Sequence, residues 1–229
     1  MGRAPGQALI WAGAVAASLA GTLLIGLGFS GLLSGVPEDG PTGPATAPAA
    51  GPKPRPSPVD APDIPLDTIA EPMEAARPEA VYIPSIGVSA PLMELGLDAG
   101  GAIENPPIDS PNLAGWYRYG AVPGRRGAAV ITGHLDTRTG PAVFARLKNV
   151  RRGDQVQVLR ADRSVAIFVV DRIEHLPKRR FPAEKVYAAL SYPGLRLVTC
   201  GGVFDQRSHS YRDNTIVYAH LAAPYFPGG

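Results

Sequence analysis

Twelve prolines fall within residues 37–80 of this 229-residue chain, with repeated Pro-Ala, Gly-Pro and Lys-Pro-Arg-Pro. Such a segment cannot bury enough apolar surface to offset the entropy of ordering it, so any core must be built elsewhere. It is expected to sample extended polyproline II and to act as a semi-rigid spacer reaching on the order of 100 Å at most. Toward its end, Leu66, Ile69, Met73 and Ala76 recur with a weak helical period, which predicts a short docking helix over residues 66–77.

Ahead of the spacer, Ala8 to Phe29 is a run of 22 residues without a charge. As a helix it would be about 33 Å long, enough to cross a hydrocarbon core of about 30 Å. Arg3 and the N-terminal amine precede the run, and Glu38 and Asp39 follow it, which puts the N-terminus in the cytoplasm and the C-terminal bulk outside. A cleaved signal peptide is the competing reading. The run exceeds the usual apolar region of such a peptide, and no convincing small-x-small site follows it.

Charge divides the chain in the same place. Residues 37–80 hold eight acidic and three basic side chains, whereas residues 81–229 hold eighteen basic and twelve acidic. A basic exported domain suits an anionic envelope nearby, although an ordinary solvated surface gives the same balance. No helical arginine stripe or RNA-binding motif is present, which argues against nucleic acid as a partner.

From Val81 the texture is that of short strands. Val81–Val88, Gly115–Tyr119, Ala128–His134, Gln155–Ala161, Val165–Ile173, Leu195–Cys200 and Thr215–Leu221 are β-rich, separated by turn signals such as Pro123-Gly124 and Arg152-Gly153-Asp154. Ala142–Leu147 and Pro182–Ala189 read as helices of one or two turns. Many short strands with few helices predict one all-β barrel or sandwich.

Two strand ends carry chemistry. Leu195-Arg196-Leu197-Val198-Thr199-Cys200 reads as a strand that stops at Gly201-Gly202, with the only cysteine of the chain at its last position. No intramolecular disulfide is possible, which leaves a presented thiol or a small buried hydrophobe. Ala128 to His134 ends in Thr132-Gly133-His134, where a glycine frees space beside the imidazole. The other histidines, His175, His209 and His220, read as solvated surface residues. One cysteine and scattered histidines do not make a metal site, and no phosphate-cradling glycine loop is present. A cysteine nucleophile needs a proton-transfer partner and a donor for the oxyanion. His134 supplies the first. Arg207 and Arg212 are the candidates for the second. Arg212 shares a face with Asn214 and Ile216 if the last strand starts early.

Leu197-Val198-Thr199-Cys200 and Thr132-Gly133-His134-Leu135-Asp136 resemble the Leu-x-Thr-Cys and Gly-His strand ends of the sortases, membrane-anchored cysteine transpeptidases of Gram-positive cell surfaces. Ile83-Pro84-Ser85-Ile86-Gly87-Val88, Gly115-Trp116-Tyr117 and Cys200-Gly201-Gly202-Val203-Phe204-Asp205 resemble the actinobacterial class F branch in particular. The resemblance implies a closed eight-stranded β-barrel with one or two short helices, behind a transmembrane helix and a disordered linker. The implied division is 1–7 cytoplasmic, 8–33 anchor, 34–78 extracellular linker, 79–224 catalytic domain and 225–229 tail.

It further implies cleavage of a Leu-Pro-x-Thr-Gly-like signal on surface proteins, between Thr and Gly, through a thioacyl enzyme. The acyl group then passes to an amine of the cell-wall precursor, and no cofactor or metal is called for. Cys200 is the implied nucleophile and His134 the acid, then the base. The family arginine usually directly precedes the last strand, where this chain has Asn214. A two-residue step preserves facing, so the role is carried to Arg212. Thr199, Asn214, Trp116 and Tyr119 are candidates for binding substrate, with core packing the competing role for Trp116. Asp136 either orients His134 or caps a turn. Two rival readings are a hydrolytic cysteine peptidase of the same fold and a non-catalytic surface-binding module on a stalk.

Overall fold

The computed structural model describes residues 57–60 and 63–227. The expected anchor over residues 8–33, the residues before it and most of the spacer lie outside the described residues. Among the described residues no helix is long and apolar enough to cross a membrane.

Eight strands close into a barrel: β1 (Pro78–Ile83), β2 (Val88–Leu95), β3 (Ala114–Tyr117), β4 (Gly127–Gly133), β7 (Gln155–Arg160), β8 (Val165–Pro177), β9 (Pro193–Asp205) and β10 (Ser210–Tyr225). The order around it is β1-β2-β3-β4-β9-β10-β8-β7. A separate two-stranded ribbon, β5 (Asp136–Thr137) with β6 (Gly140–Pro141), follows β4 directly. Neighbours in the barrel are antiparallel except β2 with β3 and β4 with β9. The eight-stranded closed barrel is therefore as the sequence implied.

Alternation along the strands fills the barrel. Leu195 and Leu197 of β9 and Val217 and Ala219 of β10 point into the main core. Burying each of these leucine and valine side chains contributes about 1.5–3 kcal/mol. The other face of the same strands is covered as well. Val130, Ile216 and Tyr218 pack with Val186 of the one α-helix among the described residues, α1 (Ala183–Val186), and with the partly buried Val198. Strands covered on both faces read as continuous apolar runs, as Val165 to Val170 does.

Several local expectations give way. Residues 66–77 are not helical. They run along the barrel as an extended strap: Ala70 N–H donates to Leu221 O at 2.9 Å, Met73 N–H donates to Gly124 O at 2.9 Å, and the Met73 side chain enters the core. The end of the Pro-rich segment is thus docked, because paired backbone groups and one buried thioether offset the cost of ordering it. Arg160, 1% exposed, secures the strap by donating to Glu74 O and to Ser164 Oγ. Pro84 does not sit in a strand; Pro84–Ile86 form a 3-10 turn between β1 and β2, closed by Gly87 at φ 67°. Ala142–Leu147 contains no α-helix, and Pro182–Ala189 contains only α1. Strand β8 runs on to Pro177 and takes His175 with it. His220 is 4% exposed, its Nδ1 2.6 Å from Asp171 Oδ1 and its Nε2 3.1 Å from Thr68 O. It is a buried strap contact, not a solvated histidine.

Candidate active site

The glycine pair does not end the cysteine strand. β9 continues through Gly201 and Gly202 to Asp205 and forms a long hairpin with β10. Between the pairs Asp213–Gly201 and Tyr211–Phe204, β9 advances one residue more than β10. That extra residue is a bulge, and Gly202 at φ 73° meets its backbone demand. A Cβ on Gly202 would also fall 2.1 Å from Asp213 Oδ2. Because the bulge is on β9, β10 keeps its alternation, and Arg212 stays on the face of Asn214. Asn214 pairs directly with Cys200. Side chains so opposed have Cβ atoms about 4.5–5.5 Å apart.

On its other side β9 runs parallel to β4, in register from Gly127 against Pro193 to Thr132 against Val198. Thr199 carries the register one row further, donating its Oγ1 proton to Gly133 O at 2.8 Å. Extended past the end of β4, the same register would bring His134 level with Cys200; His134 itself lies just beyond the strand and is not among the residues lining the thiol's cavity. His134 Nε2 lies 2.6 Å from Pro106 O. A carbonyl only accepts, so Nε2 carries a proton and Nδ1 is the ring nitrogen free for proton transfer. Gly133 allows the approach: a Cβ there would meet Val143 at 2.6 Å and Phe144 at 2.7 Å.

Cys200 is half-buried and has no disulfide partner. It lines a cavity of about 420 Å3 together with Leu135, His175, Thr199, Asp213 and Asn214. A larger cavity, about 650 Å3, adjoins it through Lys148 and Asn149 and is lined by Arg146, Arg151 and Asp154. The smaller one holds the thiol. His175 donates to or accepts from Thr215 Oγ1 through its Nδ1 at 3.0 Å. Sequence reading missed it because nothing local shows that β8 reaches far enough to bring it to the thiol's cavity.

Arg212 is 67% exposed at its side chain and donates from Nη2 to Asp205 Oδ2 at 3.3 Å. Asp205 also accepts from the Arg207 backbone N–H at 3.0 Å. That bond first, and the Arg212 charge after it, hold the Asp205 carboxyl below its ordinary range. Arg207 stands in the turn between β9 and β10. Asp136 accepts a hydrogen bond from the Tyr211 hydroxyl. Trp116 is 6% exposed, belongs to the main core and donates its ring N–H to Ala121 O at 3.0 Å, so it packs and does not line a groove. Tyr119 is 64% exposed, edge-on to Tyr117 and beneath Arg118, apart from the residues lining the Cys200 cavity.

The closed barrel presents its one cysteine in an open cavity, on a strand paired in parallel with the strand that precedes His134. Residues 81–222 match the family model described as Sortase domain. The chain therefore belongs to the sortase family and is a cysteine transpeptidase. Among solved structures it is similar to Listeria monocytogenes sortase A, at 14% identity over 66% of this chain and 90% of that one, with a TM-score of 0.50. It is similar also to Streptococcus pneumoniae sortase C, at 21% identity over 66% and 72%, TM-score 0.51. Sortase C1 from Streptococcus agalactiae is similar at 16% identity over 63% and 67%, TM-score 0.50. Identities this low speak to the fold alone. No curated protein matches the chain.

Proposed function

We propose that the chain cleaves a Leu-Pro-x-Thr-Gly-like sorting signal between Thr and Gly and transfers the acyl group to a cell-wall amine. Cys200 attacks the threonyl carbonyl, and His134 protonates the departing glycine amine through Nδ1. The incoming amine then attacks the thioester, His134 takes its proton, and Cys200 leaves as thiolate. Arg212 leaves Asp205 to donate to the oxyanion. Thr199 and Asn214 flank the thiol and position the peptide. The observation that supports this reading is the parallel pairing of β4 with β9, tied at its end by the Thr199–Gly133 hydrogen bond, from which His134 and Cys200 each follow by one residue.

The resemblance of Cys200-Gly201-Gly202-Val203-Phe204-Asp205 to the class F branch supports membership of that branch. Residues 8–33 anchor it in the membrane with the barrel outside, where surface proteins bearing a sorting signal and the wall precursor are available. Incubating the protein with a sorting-signal peptide, with and without an amine nucleophile, tests the reading. Amide product with amine and slow hydrolysis without it is the expected result. Hydrolysis indifferent to amine would contradict transfer to an amine, and no cleavage would contradict the Leu-Pro-x-Thr-Gly-like signal. A C-terminal tag protected from protease added to wall-stripped cells would contradict the topology.

A further inference from the structure

Tyr211, which has no assigned role, and Asp136, left between orienting His134 and capping a turn, are joined by a hydrogen bond. Asp136 stands two residues after His134, in the ribbon β5–β6. Tyr211 immediately precedes Arg212 on β10. The Tyr211 hydroxyl donates to Asp136 Oδ2, linking residues 75 apart in the chain. The Tyr211 ring is held edge-on by Phe204, 5.2 Å between centroids, so the hydroxyl is aimed from a fixed platform. The bond to Asp136, then burial, the Asp136 charge and the Cys200 charge push Tyr211 up to about 12. It therefore remains a donor throughout neutral pH, and it sits within electrostatic reach of the thiol. The other ionisable side chains lining the thiol's cavity are Lys148, His175 and Asp213.

We propose that Tyr211 and Asp136 are a positioning pair: their hydrogen bond fastens the segment carrying His134 to the strand carrying Arg212, across Cys200. This rests on the roles given to those three residues above. The pair has a second consequence. Losing either partner loosens the histidine segment, which weakens the histidine's support of the thiolate.

The test uses the full chain in detergent, as Tyr211→Phe, Asp136→Asn, Asp136→Ala and the double Tyr211→Phe/Asp136→Ala, with thermal melts to check folding. Tyr211→Phe keeps the ring on Phe204, and Asp136→Asn keeps an oxygen acceptor. Tyr211→Phe and Asp136→Ala are each expected to lose about tenfold in kcat on a sorting peptide, with KM within about twofold, because misplacement acts on the chemical step. The double variant is expected to be no worse than either single one, and Asp136→Asn to recover most of the rate. Independently of any substrate, the pH at which Cys200 reaches half its maximal iodoacetamide alkylation rate is expected to rise in Tyr211→Phe. Multiplying losses in the double variant, or an unmoved alkylation midpoint, would overturn the pairing. Failure of the wild type to cleave peptide, with the midpoint still shifted, would instead overturn the reaction assigned above.

Discussion

Thr199 donates its hydroxyl to the carbonyl of Gly133, 2.8 Å away, and so pins the last row of the parallel pair β4–β9. Thr199 precedes the cysteine and Gly133 precedes the histidine. The hydrogen bond ties together the two strand positions from which His134 and Cys200 follow, and the loop carbonyl of Pro106 then holds the imidazole from outside the sheet.

Gly133→Ala tests how tight that row is. Its new methyl would lie under 3 Å from Val143 and Phe144, both in the core. Overpacking of this kind costs about 1–3 kcal/mol. The expected outcome is a lower melting temperature together with a loss of about 10²-fold in kcat, since His134 is the next residue. A melt that drops while turnover stays normal would mean that His134 is placed independently of this row.

The two arginines should behave differently. Arg212 keeps the face of Asn214 and Cys200, whereas Arg207 occupies the turn beyond. Removing one oxyanion donor costs about 10²–10³ in rate. Arg212→Ala is expected to show a loss of that order, and Arg212→Lys to recover it incompletely because an ammonium lacks the guanidinium's paired donors. Arg207→Ala should stay within a few-fold of wild type. Steady-state cleavage of a quenched peptide by the variants, measured side by side, decides it; the reverse ranking moves the role to Arg207.

Alkaline stability follows from two tyrosines. Tyr211, bonded to Asp136, and Tyr218, buried and bonded to Glu174, are both pushed up to about 12 from an ordinary value of 10.0. Raised values mean the folded chain holds protons that the unfolded chain releases first. Their stabilisation is complete below pH about 10 and is lost as pH rises through about 12. Thermal melts across that range should fall more steeply for wild type than for Tyr218→Phe. Parallel slopes would show that Tyr218 titrates normally.

The strap offers a stability test away from the chemistry. Met73 is 5% exposed, and its thioether reaches the core from the extended segment that precedes β1. Truncating such a side chain costs about 2–5 kcal/mol. Met73→Ala is expected to lower stability within that range in urea unfolding and to leave kcat on the sorting peptide unchanged. A change under about 0.5 kcal/mol would mean that the strap is only loosely seated.

The closed barrel was legible because alternation and turn residues are local signals. What was not legible depends on partners far along the chain. Gly201-Gly202 reads as a stop, yet the strand runs through it, because the pairing with β10 outweighs the weak local preference of glycine. His220 reads as exposed because its acceptor, Thr68 O, is 152 residues away. His175 joins the thiol's cavity only because β8 outruns its apolar stretch. Residues 66–77 carry a helical period but dock extended, since their backbone groups find partners on the barrel.

Intact-mass analysis of the protein after brief exposure to a sorting peptide, with no amine added, tests the central claim most directly. The account predicts an adduct of the peptide's acyl portion mapped to Cys200, absent in Cys200→Ala, and discharged as amide when an amine is supplied. Undiminished product from Cys200→Ala, or an adduct mapped to any other residue, would contradict it.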